Sequence, residues 1–296
     1  MKILVTGVNG QVGWELARSL MPIGEVVAMD RAGFDLSAPE VLEARLNQIQ
    51  PDIIVNAAAY TAVDKAESEE ALATVVNGAS VGVLALWAKN NHALLIHYST
   101  DYVFDGTKTS PYVESDTVCP INAYGRSKLA GEQAIQKVGG DYLIFRTSWV
   151  YAARGQNFVR TMLRLGQERE TLGVVNDQVG APTWARNIAD VTAFVLVKAL
   201  EERQKGEFTS GVFNLGAKGE VSWHGFAERI FSIAKGLLPN GQLKIAQLNA
   251  IPTSAYPLPA KRPSYSRLDC SAIEARFGVA IPHWELALPL CINDTV

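Results

Sequence analysis

Short apolar runs alternate along this chain with longer segments in which apolar residues return at helical spacing. Lys2–Thr6, Glu25–Asp30, residues 51–56, Ala93–Tyr98 and Tyr142–Phe145 are dense in Val, Ile and Leu. Runs of this kind, bounded by turn residues, predict buried strands. Between them, Val12, Leu16 and Leu20 share one helical face. Pro39-Glu40-Val41 opens a second helix, with Pro in its first turn. Asp64 to Lys89 reads as one long helical stretch, its Asp64, Lys65, Glu67, Glu69 and Glu70 forming a solvated start. Another helix opens at Tyr124. This alternation, kept up to about Tyr151, predicts an α/β fold with a doubly wound parallel sheet and right-handed crossovers.

The second half is less regular. Phe158–Gln167 and Ile188–Leu200 read as helices, Val174–Trp184 as a strand running into a loop, and Phe213–Gly216 as a short strand. Ser222 is placed to cap a helix that reaches Lys235. Asn249 to Arg267 carries prolines at 252, 257, 259 and 263 and reads as loop. Its Lys261, Arg262 and Arg267 suit either a diphosphate or plain solvation. Pro289 is expected to interrupt a closing helix after Trp284.

Composition narrows the classes. Of 296 residues, 48% are apolar, enough for a sizeable core, and a net charge of −3 suggests neither nucleic acid nor a membrane surface as partner. No apolar run approaches a transmembrane length, and the first residues read as a strand, not a signal peptide. Cys119, Cys270 and Cys291 are odd in number and far apart, so no disulfide framework or zinc pattern is expected. A reduced, cytoplasmic protein is the simplest reading.

Candidate chemistry sits at the strand ends. Gly7-Val8-Asn9-Gly10-Gln11-Val12-Gly13 joins the first strand to the first helix. Such a turn lets a pyrophosphate approach backbone N–H groups at a helix N-terminus. The spacing is G-x-x-G-x-x-G. Asp30 ends the second strand, where a carboxylate can accept hydrogen bonds from an adenosine ribose. The adjacent Arg31 can pair with a 2′-phosphate, so NADH and NADPH both stay open as cofactors. Asp35 sits where a loop can reach the adenine, and the small residues Ala57-Ala58-Ala59 leave room for a flat cofactor. Thr100 ends the fourth strand, and Tyr124 and Lys128 are four apart on one helical face. A hydroxyl, a phenol and an ammonium together suit proton transfer at a carbonyl oxygen, with the ammonium lowering the phenol pKa. Gly10, Asp30, Ala59, Thr100 and Trp149 all fall at or beyond strand ends, where such sheets bind ligands. Hydride transfer coupled to proton transfer is the reaction class.

G-V-N-G-Q-V-G, S-T-D-Y-V-F-D-G at Ser99–Gly106 and Y-G-R-S-K at Tyr124–Lys128 resemble the extended short-chain dehydrogenase/reductases. N-A-A-A-Y-T-A-V-D-K-A-E at Asn56–Glu67, F-R-T-S-W-V-Y at Phe145–Tyr151, N-D-Q-V-G-A-P-T at Asn176–Thr183 and R-P-x-x-S-R-L at Arg262–Leu268 resemble the dTDP-4-dehydrorhamnose reductases among them. The resemblance spans nearly the whole chain. It implies a Rossmann-type sheet over residues 1–151 and a smaller α/β, mainly substrate-binding domain over 152–296, with some segments returning to the sheet. It also implies NAD(P)H-dependent reduction of the 4-keto group of dTDP-4-dehydro-β-L-rhamnose, the last step of dTDP-rhamnose synthesis. In that reading Thr100, Tyr124 and Lys128 are catalytic, and Thr100, Asp101 and Trp149 contact the nucleotide sugar. Gly7, Gly10, Gln11, Val12, Gly13, Asp30, Asp35, Leu36, Ala59, Tyr60, Thr61, Tyr98, Tyr124 and Lys128 line the cofactor site. Some relatives dimerise through a metal held by acids. Here Arg186-Asn187-Ile188 follows A-P-T-W-A, so no metal is carried over, and any homodimer forms without such a bridge. The rivals are another nucleotide-sugar 4-ketoreductase, a non-catalytic nucleotide-binding regulatory subunit, and an epimerase or dehydratase in which Asp101 serves as the acid.

Overall fold

Four of the apolar runs become strands buried on both faces, and the fifth, Glu25–Met29, forms a partly exposed edge strand. In the computed structural model, which describes residues 1–239 and 241–295, these strands are β1 (Lys2–Thr6), β2 (Glu25–Met29), β3 (Ile53–Asn56), β4 (Leu94–Thr100) and β5 (Tyr142–Thr147). They pair in parallel in the order β5-β4-β3-β1-β2. A sixth strand, Gly211–Asn214, adds in parallel on the far side of β5. Leu16, Leu20, Ile188, Leu196 and Phe277 pack on one face, and Leu42, Leu46, Leu84, Trp87 and Ile135 on the other. A parallel sheet covered on both sides reads as continuous apolar runs without polar alternation. The chain steps outward from β1 to β2 and then returns to lay β3 on the other side of β1. That reversal opens a crevice at the carboxyl ends of the strands.

The second half contributes to two cores. Helix Ala185–Lys205 and the strand Gly211–Asn214 pack onto the sheet. Helices Phe158–Glu168, Trp223–Leu237 and Trp284–Asn293 enclose a separate apolar cluster that includes Phe226, Ile230 and Leu288.

Four sequence expectations need correction. The stretch from Asp64 to Lys89 is not one helix: a short helix, Val63–Ala66, precedes a break, and helix resumes at Glu70. It then loosens into a π turn at Val75–Ala79 before continuing to Asn90. The π turn is held by Asn77, whose amide bonds both backbone groups of Tyr60 and the Ser127 hydroxyl. Glu70–Asn90 is also long and apolar enough, by composition alone, to span a membrane, although half of it is buried as a core helix. The 249–267 segment is not all loop, since Gln247–Ile251 pairs in parallel with Thr171–Val175. The closing helix Trp284–Asn293 runs through Pro289. Burial of Trp284, Ala287, Leu288, Cys291 and Ile292 holds it, while Glu285, whose carbonyl loses a partner to the proline, lies on the exposed side.

Candidate active site

Five strand ends converge on one cavity of about 900 Å³, toward the upper end of small-molecule sites. Gly7, Gly10, Gln11, Val12, Asp30, Asp35, Leu36, Ala59, Tyr60, Thr61, Tyr98, Thr100, Asp101, Tyr124, Lys128 and Trp149 all border it. Gly13 does not. A side chain there would stand 2.2 Å from the Gly7 carbonyl oxygen, so its lack of Cβ lets the helix pack behind the turn. Gly7 has φ +72°, and a Cβ on it would lie 2.7 Å from the Ala58 backbone. These glycines let the turn close tightly against Ala58 and its own helix, and Gly7 and Gly10 border the cavity without side chains, as close approach of a pyrophosphate requires. Two buried hydroxyls beside the cavity, Ser99 Oγ and Thr147 Oγ1, have no protein partner and are free to bond a ligand. The residues present thus fit a dinucleotide.

At the ribose end, Asp30 accepts from the Gly33 N–H (3.1 Å) and from Asn9 Nδ2 (3.2 Å). Arg31 is mostly exposed and meets Asp35 at 3.4 Å. The Ser37 N–H is the largest influence holding the Asp35 carboxyl below its usual range, and Arg31 adds to it.

The helix Ala123–Val138 carries Tyr124 and Lys128 into the cavity. Asn122 caps it by accepting from the Gly125 N–H at 2.8 Å. Gly131 lets it press against the π turn, since a Cβ there would lie 2.2 Å from the Asn77 carbonyl oxygen. Lys128 is buried, and its ammonium donates to the Tyr98 carbonyl at 2.6 Å and lies 3.3 Å from His97 Nε2. Burial lowers its pKa to about 8, with Glu132 opposing. Burial is also the largest influence on Tyr124 and raises its pKa, while the Thr100 hydroxyl pulls it down. The sequence expectation of a phenol pKa lowered by Lys128 is not met: burial raises it, and the phenol stays protonated, ready to donate.

Thr100 Oγ1 donates to Asp101 at 2.9 Å and accepts from the Tyr102 N–H at 3.2 Å. The buried Asp101 also accepts from Ser148 Oγ at 3.0 Å, and burial raises its pKa to about 6. Asp101 therefore holds the Thr100 hydroxyl at the cavity edge. Tyr98 borders the cavity, but its own hydroxyl bonds Thr192 at 2.7 Å in the layer beneath. Trp149 adopts φ +47° and stacks on Trp223 with ring centroids 3.5 Å apart and planes 6° from parallel. Gly180 makes room, since a Cβ there would stand 2.5 Å from the indole.

Other groups were not foreseen. Thr147 and Ser148 sit inside F-R-T-S-W-V-Y, and only their position after a strand could have marked them. The acidic strip at the start of the 63–90 segment is not simply solvated. Asp64 pairs with Arg262 (2.8 Å), Glu67 accepts from the Ala123 N–H (2.8 Å), Glu69 accepts from Tyr60 (2.8 Å), and Glu70 grips Arg126 (2.7 Å). The strip docks the Tyr124 helix and the C-terminal loop. Lys261, Arg262 and Arg267 do not border the cavity, and Arg267 pairs with Glu220 at 3.3 Å.

The sheet, the bare glycine turn and the Tyr–Lys pair at its crevice define a Rossmann-type oxidoreductase of the short-chain dehydrogenase/reductase kind. Within that class, the chain belongs to the RmlD substrate binding domain family, whose model matches residues 1–296. It is 56% identical over 294 residues to a dTDP-4-dehydrorhamnose reductase of Burkholderia thailandensis, covering 99% of both chains. A Clostridium acetobutylicum dTDP-4-dehydrorhamnose reductase has the same fold with a TM-score of 0.89, at 36% identity and 99% coverage of each chain. A Bacillus anthracis dTDP-4-dehydrorhamnose reductase, solved in complex with NADP, has a TM-score of 0.88 at 34% identity, again over 99% of each chain.

Proposed function

We propose that this protein reduces the 4-keto group of dTDP-4-dehydro-β-L-rhamnose to give dTDP-β-L-rhamnose, using NADPH or NADH. The observation that carries this reading is the convergence of Thr100, Tyr124 and Lys128 on one cavity with the glycine turn. The names of its relatives supply the substrate. When bound, the reduced nicotinamide supplies a hydride to C4 of the sugar. Tyr124 gives its phenol proton to the oxygen that gains charge. Lys128 stabilises the phenolate left behind. Thr100 turns its O–H from Asp101 to the reacting oxygen and holds it in place. Trp149, braced by Trp223, walls the sugar. The substrate-binding part is drawn mainly from residues 152–296, and the setting is the cytoplasm. Any homodimer is read as forming without a metal bridge, on the sequence Arg186-Asn187-Ile188 alone.

The test mixes the protein with NADPH or NADH and enzymatically made dTDP-4-dehydrorhamnose, following absorbance near ~340 nm, where reduced nicotinamide absorbs. Sugar-dependent oxidation with dTDP-rhamnose as product is the expected result. Cofactor binding without oxidation would point instead to a regulatory subunit or to a different sugar.

A further inference from the structure

Three polar side chains stand side by side in the mostly apolar strands β1, β3 and β4. Thr6 of β1 pairs in register with Asn56 of β3, and Asn56 pairs with His97 of β4. All three are fully buried. Thr6 Oγ1 donates to Asn56 Oδ1 at 2.6 Å, and Asn56 Nδ2 lies 3.0 Å from His97 Nδ1. The far nitrogen of the ring lies 3.3 Å from Lys128 Nζ. On β5 the next residue in register is Ile144, so the polar row turns off the sheet and ends at Lys128. At its other end Thr6 Oγ1 accepts from the Ala58 N–H at 3.3 Å, under the cavity floor. No step of the reduction uses Thr6, Asn56 or His97, yet buried polar groups are costly unless each finds a partner.

Donor counting constrains the protons. A lysine ammonium has three donors and no acceptor. One goes to the Tyr98 carbonyl, so the contact with His97 is a bond only if Nε2 accepts. A neutral imidazole then carries its proton on Nδ1 and needs an acceptor there, which Asn56 Oδ1 provides only with the amide turned end for end from its orientation in this structure, an assignment that the hydrogen-bond network decides. Asn56 Nδ2 then donates to Thr6 Oγ1, whose own proton gives up its bond to Oδ1, a neutral bond that contributes less than one made by the charged ammonium. Resting on the reductase reading above, we propose that His97 is a positioning residue. Its neutral ring, locked as the Nδ1–H form by Asn56 and Thr6, accepts from Lys128 and holds that ammonium charged beneath Tyr124. The third donor of Lys128 is left for the cavity. Burial, followed by the charge of Lys128, holds the His97 pKa well below the usual histidine value, consistent with a neutral ring.

The other groups facing this pair are accounted for. Glu132 lies one turn on and is gripped by Arg146 of β5. Tyr124 lies one turn back, and Asp101 acts on Tyr124. The phenol of Tyr98 points to Thr192. Only His97 offers Lys128 a side-chain acceptor among the described residues. A hydrogen bond to the charged form raises a pKa. Removing it therefore lowers the pH at which Lys128 loses its proton, and the alkaline limb of kcat/KM moves down.

Two measurements test this. Two-bond nitrogen–proton correlations on the ¹⁵N-labelled full-length protein near neutral pH read the tautomer of His97, assigned by its loss in His97→Gln. The expected form is Nδ1–H with a bare Nε2, and an Nε2–H ring would overturn the proposal. This readout needs no sugar substrate, so it stands apart from the test of the reaction. The pH profile of kcat/KM is then compared across variants. His97→Leu is expected to move the alkaline limb down by about one unit, and His97→Gln, whose amide oxygen can still accept, to restore it. A uniform loss of rate with an unmoved limb would mean that His97 only fills space. Should His97→Leu fail to fold, the tautomer and the Gln profile still decide.

Discussion

The six-stranded sheet and the C-terminal lobe meet at the same cavity but are held together by different means. In the sheet, five pairs of neighbouring strands set the register, and polar groups are fixed within an apolar frame: Thr6, Asn56, His97, Glu132 and Arg146 are all buried. The lobe has small two-stranded pairings and an aromatic core of Tyr151, Trp184, Phe226, Phe231 and Trp284. Gly155 and Gln156 border the cavity, and behind its Trp149 wall the contacts are aromatic and packing ones: Trp223 stacks on Trp149, and Gly180 lies beneath the same indole. The sheet thus places charges and protons, where ångström precision matters. The lobe shapes a wall, where area and fit matter more than one exact hydrogen bond.

If that division holds, the largest effect follows from the sheet side of the site. Tyr124→Phe removes the proton donor and leaves the ring, so NADPH binding by titration should be kept. Turnover should fall by a factor on the order of 10²–10⁴, the usual contribution of a positioned acid. Near-wild-type turnover would take the proton-transfer role away from Tyr124. Next is stability. Arg146 and Glu132 form a two-fold bond at 2.7 and 2.9 Å, and their side chains are 5% and 1% exposed. Glu132→Ala leaves the guanidinium buried and unpaired, and chemical denaturation should show a loss of about 3–5 kcal/mol. The pair of Arg186 with Asp294 makes the contrast, since each side chain is 39% exposed. Asp294→Ala should cost less than about 1 kcal/mol. Equal losses would mean that burial does not separate the two regions.

A smaller effect probes the wall. Trp223→Ala removes the plane on which Trp149 stacks. An aromatic pair contributes roughly 0.5–1.5 kcal/mol beyond its area, so the KM for the sugar should rise by up to roughly tenfold while the Kd for NADPH stays put. A rise in the Kd for NADPH instead would show that the lobe also braces the cofactor.

What the sequence made legible follows the same division. β1, β3, β4 and β5 were readable because a parallel strand buried on both faces has to be apolar along its length. Gly7, Thr100, Tyr124 and Lys128 were readable because strand ends and helical spacing fix where side chains can go, and all four border one cavity. The strand Gln247–Ile251 was not, because its Q-L-N-A-I pattern sets two polar residues among three apolar ones and its partner, Thr171–Val175, lies far along the chain. The π turn at Val75–Ala79 escaped for a related reason. Nothing local distinguishes it from helix, and it is held by Asn77 bonding Tyr60 and Ser127. His97 was hidden inside its own strand, since one polar letter in an apolar run says nothing of the register that sets it beside Asn56. Acids such as Glu67 and Glu70 looked solvated because their partners, Ala123 and Arg126, lie far along the chain.

The smallest effect concerns the choice of cofactor, the one place where the sheet side is as adaptable as the wall. Asp30 is tied on both oxygens, by Gly33 and Asn9, and faces the cavity. A fixed carboxylate there accepts from two ribose hydroxyls and repels a 2′-phosphate. Arg31 is different: its side chain is 78% exposed, and its bonds to Asp35 and Ser37 are long, at 3.5 Å each. A guanidinium held so loosely can turn to a phosphate at little cost, because an exposed ion pair contributes at most about 1 kcal/mol. Asp30→Ala should therefore weaken NADH more than NADPH, and Arg31→Ala should weaken NADPH by a few-fold, roughly the factor that 1 kcal/mol gives, with NADH unchanged. The two KM values measured for each variant with the same sugar are enough to decide. If both variants shifted both cofactors alike, the ribose would lie elsewhere in the crevice, and the rigid acid and mobile base at the end of β2 would have no part in the choice.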